Sequence, residues 1–420
     1  MHPETIRIID KYLGKPLCFL LTLHRQFLDL CFAARQLKRP LRKVMFIKLV
    51  EQGATVLAYA ALREACERYG RENVFFCVFE NNRDILDVMD VIPGENVFAV
   101  RQANFLVFLI DILKIIKMAR KIRIDAAIDM EFYSRASAVI SYLLGATLRV
   151  GLHRFNSEAP YRGNLMTHRL HYNPYLHTAE AYLLSVKALE MAPEDVPLAK
   201  YPKDELMVSA PSFVAGEDDK SRLLSRLKNE GIFPVSGPVI LLNPNAGDML
   251  PLRKWPMSRF VQLAEMILEA YPSATLILTG TASERENVEA IGREPASSRV
   301  FNLAGKTTLK ELLTLYTMAD VLVTNDSGPG HFASMTDIHS IVLFGPETPR
   351  LFGAIGGRPH AISANLSCSP CVNVANHRFS PCKNNRCMEA ITVDRVMSVI
   401  KACITENGEN LRGVSTDVGE

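Results

Sequence analysis

A polar loop in the second half of the chain has the residue types that hold an anionic ligand. Residues 325–328 (Asn-Asp-Ser-Gly) follow the apolar run 321–323, and His331 comes shortly after them. A small polar turn between a strand and a helix offers unpaired backbone N–H groups and the positive end of the helix dipole. The alternative is an ordinary connection in which Asp326 or Ser327 caps the helix.

Three other loops of small and polar residues follow apolar runs in the same half of the chain. They are residues 245–247 (Asn-Ala-Gly), residues 280–284 and residues 345–349 (Gly-Pro-Glu-Thr-Pro). Arg253 and Lys254 supply the cations that a diphosphate needs, and Glu284 can accept hydrogen bonds from a ribose diol. The chain has neither a G-x-x-x-x-G-K-[ST] loop nor a G-x-G-x-x-G after the first strand. This argues against a nucleoside triphosphatase and a simple dehydrogenase.

The elements that must position these loops are strands and helices in alternation. Runs typical of strands alternate with runs typical of helices over residues 41–200, and again over residues 238–403. The alternation predicts right-handed βαβ units and two parallel sheets. Loops after the strands of a parallel sheet share one edge, so we expect the four loops to converge. The predicted fold class is α/β, with two doubly wound, Rossmann-like domains facing each other across a cleft.

The rest of the chain is arranged around these two domains. Residues 201–237 are rich in proline and charge, which predicts a linker with one helix near 218–229. The polar composition of residues 404–420 predicts a flexible tail. The 420 residues are 48% hydrophobic and 22% charged, which is enough apolar material for large cores. The net charge of +3 is too small to indicate nucleic acid as a partner.

Positive charge is concentrated near the N-terminus. Residues 1–43 contain nine Lys or Arg and three acidic residues, a net charge of +6. Residues 17–33 place apolar side chains at helical spacing, which predicts a basic amphipathic helix within 1–40. Such a helix could attach to an anionic membrane surface or pack on the following domain, and its composition favours neither. The apolar run 16–23 is too short for a signal peptide or a membrane span.

Four motifs in the C-terminal half carry a family resemblance. They are Asn243-Pro-Asn-Ala-Gly with Arg253-Lys-Trp-Pro, Leu278-Thr-Gly with Glu284, residues 324–331 (Thr-Asn-Asp-Ser-Gly-Pro-Gly-His), and Leu343-Phe-Gly-Pro-Glu-Thr-Pro. A nucleoside-diphosphate binder with two doubly wound domains already indicates a GT-B glycosyltransferase. Together the motifs resemble glycosyltransferase family nine, the heptosyltransferases of lipopolysaccharide core assembly, and the resemblance extends more weakly to residue 41.

The resemblance implies a donor site and a substrate. Members of the family bind ADP-heptose and use no metal, so no cofactor is expected. By analogy, Arg253 and the 245–247 loop hold the diphosphate, Glu284 holds the ribose, and the 325–331 segment holds the diphosphate-sugar. The predicted donor-binding residues are Asn245, Ala246, Gly247, Arg253, Lys254, Gly280, Glu284, Asn325, Asp326, Ser327, Gly328 and His331.

The sequence departs from the family pattern at the general base. Active members have a Gly-Asp pair after the first strand, and the matching pair here is Gly53-Ala54. The acceptor hydroxyl must lose a proton as the anomeric carbon is attacked, so a positioned carboxylate is expected. The candidate catalytic residues are Glu51, on the same loop, and Asp129 and Glu131, after a neighbouring strand. A different acceptor or a loss of activity would also account for the alanine.

Four of the nine cysteines form the pattern Cys368-x2-Cys371-x10-Cys382-x4-Cys387. The pairing is similar to that of a zinc site, but the second pair is not C-x-x-C. A zinc or iron–sulfur site, reduced thiols and a disulfide all stay open, and reduced thiols suit a cytoplasmic enzyme.

Two main functions follow from these observations. The first is transfer of a sugar, a heptose by the resemblance, to a lipopolysaccharide-core or other glycolipid acceptor, by a cytoplasmic protein peripheral on the inner membrane. The second is non-catalytic binding of a nucleotide sugar or glycolipid. A GT-B epimerase or phosphorylase is a weaker third, because an epimerase has no need for the basic apolar N-terminus.

Overall fold

The structure is a computed structural model that describes residues 8–32, 40–155, 159–232, 235–247, 250–293, 298–374 and 379–414. The chain divides into two compact units. The first unit comprises the residues up to Ser209 together with Val372–Phe379, and the second comprises Ala210–Cys371 and the residues from Ser380 onward. Each unit contains one parallel sheet with helices packed against it.

The first unit contains a six-stranded parallel sheet in the order β3-β2-β1-β4-β5-β6. Its strands are β1 (Val44–Ile47), β2 (Val74–Phe79), β3 (Val97–Val100), β4 (Ala126–Asp129), β5 (Leu148–Leu152) and β6 (His168–Leu170). Its helices are α1 (Lys15–Phe32), α2 (Gln52–Leu57), α3 (Tyr59–Tyr69), α4 (Asp84–Met89), α5 (Phe105–Ile122), α6 (Arg135–Leu143) and α7 (Thr178–Lys187). Every residue of β1, β2 and β4 is buried, as expected for a parallel sheet covered on both faces.

The second unit repeats this arrangement in the order β12-β11-β10-β7-β8-β9. Its strands are β7 (Val239–Asn243), β8 (Thr275–Leu278), β9 (Val300–Asn302), β10 (Val321–Asn325), β11 (His339–Phe344) and β12 (Arg358–Ser363). Its helices are α8 (Glu217–Asn229), α9 (Met257–Ala270), α10 (Arg285–Arg293), α11 (Leu309–Tyr316), α12 (Gly328–Ala333), α13 (Pro349–Phe352), α14 (Arg386–Glu389) and α15 (Val393–Val414). In both units the strand order reverses between the first and fourth strands, where doubly wound folds bind ligands.

The structure corrects the sequence predictions at several elements. Residues 404–414 continue α15, so the predicted flexible tail over 404–420 is wrong for that part, and residues 415–420 lie outside the described residues. The helix is held as far as Asn407, because Ile404 packs against the core and Asn407 donates to Asp320. Strands β6 and β12 and helix α7 were not predicted, because their short or mixed polar runs give weak periodicity.

Helix α1 turns small and polar side chains toward the protein and apolar side chains toward solvent. Cys18 and Thr22 are buried, and the Thr22 hydroxyl accepts from the backbone N–H of Asn164 at 2.9 Å. Leu20 and Phe27 on the other side are 59% and 62% exposed. The predicted helix is therefore present and packed on its domain, while its apolar face is left open. Residues 1–7 and 33–39 of the predicted segment lie outside the described residues.

Over the described residues, the structure contains no helix with the length and apolar content to cross a membrane.

Candidate functional site

The side chain of Asn325, at the end of β10, joins two of the predicted donor segments of the second unit. Its amide nitrogen donates to the carbonyl oxygens of Pro244 and Asn245 at 2.7 and 3.5 Å, and its Oδ1 accepts from the backbone N–H of Trp255 at 3.0 Å. Asn325 is fully buried. It therefore fixes the loop after β7 and the segment that carries Arg253, rather than facing a ligand with its side chain.

Arg253 joins two more loops through buried carboxylates. Its guanidinium contacts the carboxylate of Glu347, lies 3.7 Å from that of Asp326, and donates to the Asp326 carbonyl oxygen at 3.2 Å. Burial raises the pKa of both carboxyl groups, and the Arg253 charge offsets this only in part. The pair therefore retains a proton more readily than two exposed acids would. Two acids and one cation meet where the strand order reverses.

Gly280 allows a third loop to reach the same place. A Cβ atom at this position would lie 2.7 Å from Nδ2 of Asn245 and 3.2 Å from Oε2 of Glu284, so a larger residue would push them away. Glu284 accepts from the backbone N–H of Thr281 at 2.8 Å and is half-buried. The Asn245 Nδ2 group is buried and has no hydrogen-bond acceptor among the described residues. A buried orphan donor of this kind is rare and indicates a ligand oxygen.

The remaining predicted donor residues line the same loops. Gly247 has a φ of +63°, in the left-handed region that favours glycine, and open space lies beside it. Ala246 is buried, and Lys254 is half-buried, with its carbonyl accepting from Asn385 at 3.0 Å. Helix α12 begins at Gly328, directly after the polar turn, and His331 lies within it.

Ser327 is the N-cap residue of α12, but its hydroxyl donates to the Asn325 carbonyl at 3.1 Å instead of capping the helix. Gly330 lets α12 pack closely on β11, because a Cβ there would lie 3.0 Å from Val342; a Cβ at Gly328 would lie 3.1 Å from Phe332 of the same helix. His331 is buried in the same short helix. The helix is therefore pressed against the sheet at the end of β10.

The first unit places the three candidate bases at its own strand-order reversal, between β1 and β4. Asp129 ends β4 and forms a buried ion pair with Arg162. It also accepts from the Ser137 hydroxyl and the Glu131 backbone N–H, both at 3.0 Å. Burial raises the pKa of Asp129 despite the Arg162 charge. These contacts make Asp129 a structural group rather than an accessible base.

Glu131 is also engaged in holding the loop after β1. Its carboxylate accepts from the backbone N–H groups of Leu49 and Val50 at 2.6 and 3.0 Å and from the buried Lys48 ammonium at 3.1 Å. The next residue along the loop is Glu51, whose carboxylate lies 3.7 Å from the Lys48 ammonium. Glu131 therefore positions the peptide that carries Glu51.

Glu51 is the most accessible of the three candidates, with 20% of its side chain exposed. Its φ of +72° is unusual for a residue other than glycine. The backbone therefore turns sharply at Glu51, directly before α2, while Gly53 and Ala54 already lie inside that helix. Backbone strain of this kind concentrates at functional sites, and here it directs a carboxylate out of the end of the sheet.

An aromatic cavity of about 410 Å³ opens in the first unit, beyond the ends of β4, β5 and β6. Asp129 and Glu131 lie at one side of it, and Phe132 stacks on Tyr182 with ring centroids 6.0 Å apart. The Tyr182 hydroxyl is buried and has no hydrogen-bond partner among the described residues. Burial and the nearby Glu131 and Asp129 charges raise the pKa of Tyr182, so the hydroxyl keeps its proton and can donate.

The structure contains all nine cysteines as free thiols. Cys371 lies 3.3 Å from the Ser380 hydroxyl, and Cys382 lies 3.6 Å from Oδ1 of Asn384. Cys368 is exposed and Cys387 buried. Within the described ranges, no three of these four sulfurs come together in a metal-binding arrangement.

The model of glycosyltransferase family 9 (heptosyltransferase) matches residues 112–379. The chain belongs to glycosyltransferase family 9. Among curated proteins, it is 26% identical over 183 residues to lipooligosaccharide heptosyltransferase 2 of Campylobacter jejuni, covering 43% of this chain and 56% of that protein. It is 31% identical over 151 residues to the Haemophilus influenzae enzyme of the same name, covering 35% and 42%. The matches thus span about half the length of these relatives.

Solved structures show the fold. The E. coli ADP-heptose LPS heptosyltransferase II matches with a TM-score of 0.66 and 20% identity, over 87% of this chain and 99% of that one. The E. coli heptosyltransferase WaaC with ADP matches with a TM-score of 0.59 and 15% identity, over 86% and 99%. This family 9 chain therefore has the two-domain α/β GT-B fold, as predicted.

Several important residues were not among those predicted from the sequence. Glu347 lies in the Gly-Pro-Glu-Thr-Pro loop after β11, and an acidic residue directly after a strand could have been included among the candidate site residues. Lys48 precedes the loop that carries Glu51, and a lysine at the end of an apolar strand could likewise have been included among the candidates. Arg162 and Tyr182 are far from their partners in sequence, and no local pattern indicates them.

Proposed function

We propose that the protein transfers a sugar, a heptose by family, from a nucleoside-diphosphate donor to a glycolipid acceptor of the lipopolysaccharide-core type. The observation that supports this most directly is the meeting of Arg253, Asp326 and Glu347 at the strand-order reversal of the second unit. The names of the curated relatives support the sugar, and those of the structural neighbours, which mention ADP-heptose and ADP, support the donor.

The proposed donor site uses side chains and backbone in different roles. The Arg253 guanidinium faces the donor diphosphate, while Asn245 donates its orphan N–H to a donor oxygen. Glu284 accepts from the ribose hydroxyls, and Gly247 lets the backbone approach the phosphates closely. Asp326 accepts from sugar hydroxyls through Oδ2, which is buried and has no hydrogen-bond donor among the described residues.

In the proposed reaction the acceptor hydroxyl attacks the anomeric carbon of the donor sugar. A new C–O bond forms as the bond from that carbon to the diphosphate oxygen breaks, and the electron pair leaves with the diphosphate. The hydroxyl proton goes to the Glu51 carboxylate. Arg253 stabilises the charge that develops on the leaving diphosphate. Glu131 and Lys48 hold the Glu51 loop in place.

A screen of donors followed by a transfer assay tests this proposal. Thermal unfolding is measured with ADP-, UDP-, GDP- and CMP-sugars, and the best ligand is used with a delipidated or intact core glycolipid. We expect the ADP-sugar to raise the melting temperature most and to support transfer. If none of the four raises it, the nucleotide-sugar proposal is wrong.

We propose that the aromatic cavity of the first unit receives a sugar ring of the acceptor. Its aromatic walls suit the apolar face of a sugar, and the orphan Tyr182 hydroxyl suits a sugar oxygen. In Tyr182→Phe we expect the acceptor KM to rise about 2- to 10-fold, the effect of one neutral hydrogen bond, with unchanged donor Kd. The unfolding free energy without ligand should not fall, because the lost hydroxyl had no partner.

Tyr316→Phe is the matched control, since Tyr316 also has a buried hydroxyl without a partner in the described chain, but in the second unit. Its acceptor KM should stay at the wild-type value. Equal acceptor KM values for wild type and Tyr182→Phe would contradict the proposal for the cavity.

We also propose that the protein works at the inner membrane face, bound at the surface. Helices α1 and α5 both pack beside α6. Each leaves large apolar side chains exposed, among them Leu20 and Phe27 on α1 and Leu106 and Leu113 on α5. Lysines on the exposed side of α5 add attraction to anionic lipid. An apolar face with flanking cations is the composition that enters a bilayer interface.

Replacing Leu20 and Phe27 together by Asp should lower the affinity for vesicles with anionic lipid by about tenfold or more, because each apolar side chain contributes on the order of 1.5–3 kcal/mol when buried. The measurement is co-sedimentation with vesicles, with donor affinity measured in parallel. Val214→Asp, at an exposed apolar residue of the second unit, is the control. Wild-type co-sedimentation of the double variant would contradict the membrane proposal.

Ala54 supports one alternative function. It occupies the position of the family's base, so a chain that binds nucleotide sugar or glycolipid without transferring sugar is the second candidate. Donor binding without transfer by the wild-type protein would favour it.

A further inference from the structure

A second cluster of ligand-type side chains lies at the opposite end of the second sheet from the donor loops. His339 is the first residue of β11, His360 lies on the neighbouring strand β12, and Cys403 projects from α15. His339 and Cys403 are buried, and His360 is partly buried. Because β11 has six residues, its length of about 16 Å separates this cluster from the loop that carries Glu347.

Three potential ligand atoms converge in this cluster. Nδ1 of His339 lies 3.1 Å from Nε2 of His360, and Sγ of Cys403 lies 3.5 Å from the same Nε2. One candidate ligand atom from each of the three residues lies within 4.8 Å of the other two. In the described residues this is the one group of three His, Cys, Asp or Glu side chains arranged in this way.

The spacing matches that of ligands around a tetrahedral metal ion. With Zn–N bonds of about 2.0–2.1 Å and a Zn–S bond of about 2.3 Å, tetrahedral angles place two nitrogens about 3.3 Å apart and nitrogen and sulfur about 3.5 Å apart. The observed separations of 3.1 and 3.5 Å are close to these values. Two imidazoles and one thiol are also a donor set that zinc prefers.

The surroundings orient the imidazole of His339. Its Nε2 lies 3.2 Å from Oδ1 of Asn407; in the tautomer with the proton on Nε2, Nε2 donates a hydrogen bond to this oxygen and the Nδ1 lone pair faces His360. The Arg358 guanidinium, 3.2 Å from the same Nε2, also donates to Oδ1 of Asn407 at 3.2 Å. Its positive charge opposes a cation, and the Cys403 thiolate and the carboxylate of Glu406, 3.9 Å from Arg358, offset it.

We propose that His339, His360 and Cys403 bind a Zn²⁺ ion that fastens α15 to β11 and β12. On binding, the Cys403 thiol releases its proton to solvent and its sulfur forms a bond to the metal. A water molecule completes the coordination, because only these three side chains of the described residues converge. The role is structural, because the site lies at the far end of the sheet from the donor loops. It does not depend on the proposed transfer reaction.

Zinc binding by the full-length protein tests the proposal. Protein that has been stripped with a chelator is titrated with Zn²⁺ against a competing indicator, and the metal content is measured after dialysis. We expect about one zinc per chain, and a loss of affinity of more than about 100-fold in both Cys403→Ser and His360→Gln. Co²⁺ in place of zinc should give a thiolate-to-metal absorption band that Cys403→Ser abolishes.

Cys371→Ser is the matched control, because it disrupts the four-cysteine pattern and leaves this cluster intact. It should keep the zinc and the cobalt band. A chelator should lower the melting temperature of wild type and Cys371→Ser, with no further effect on His360→Gln. A wild-type protein that binds no zinc would overturn the proposal, as would zinc that is lost in Cys371→Ser but retained in both cluster variants.

Discussion

Replacement of Glu51 by Gln is expected to reduce the rate of sugar transfer by about 10²–10⁴, the usual effect of losing a general base. The amide keeps the size of the side chain but cannot take the acceptor proton. Donor affinity should stay unchanged, because the donor loops belong to the other unit. The measurement is kcat for transfer, with donor Kd from calorimetry. Lys48 would keep its buried contact with Glu131, so the fold should survive.

Glu131→Gln separates the position of the loop from its chemistry. Glu131 holds the peptide of Leu49 and Val50, so this variant should lose stability and transfer together. A Glu51→Gln enzyme with turnover within a few-fold of wild type would exclude Glu51 as the base. If Ala54→Asp were then more active than wild type, the protein would be a family member that had lost catalytic activity during evolution.

Replacement of Arg253 by Ala should weaken nucleotide-sugar binding by about tenfold or more, the effect of losing one charged hydrogen bond. It should also destabilise the second unit, because Asp326 and Glu347 would remain buried without their cation. Arg253→Lys keeps the charge but loses the planar fork that contacts both acids, so its effect should be intermediate. Calorimetry gives the donor Kd, and chemical denaturation gives the unfolding free energy.

A double variant separates these two effects. Arg253→Ala with Glu347→Gln removes one buried charge, so it should recover part of the lost unfolding free energy without recovering donor binding. Asp326→Ala should likewise weaken donor binding by about tenfold or more. Wild-type donor affinity in both Arg253→Ala and Asp326→Ala would rule out the proposed site.

The architecture could be predicted because it depends on local patterns. The apolar runs at residues 74–79 and 321–323 contain neither proline nor glycine, and the alternation with helices predicts a parallel sheet. Strand β6, three residues with two polar side chains, has no such pattern. The end of α15 was missed because its polar composition resembles a tail, while its contacts with Asp320 lie far away in sequence.

The donor loops could also be predicted, since the ends of parallel strands must share an edge. The role of each side chain at that edge could not be predicted. Asn325 and Asp129 have the residue types of ligand-binding groups, but both use their polar atoms within the protein. Whether a polar group faces a ligand or a neighbouring peptide depends on tertiary contacts, such as that of Arg162, which is 33 residues from Asp129.

The attachment of α1 has a consequence for synthesis on the ribosome. The residues on which α1 docks come much later in the chain. Arg135 follows its partner Cys18 by 117 residues, and Asn164 follows its partner Thr22 by 142 residues. At a translation rate of roughly 5–20 residues per second, the helix waits on the order of 10 s before those partners exist. During that interval both of its faces are uncovered. Any partner that recognises the apolar face of α1 therefore meets the helix before its docking surface on the domain has been synthesised.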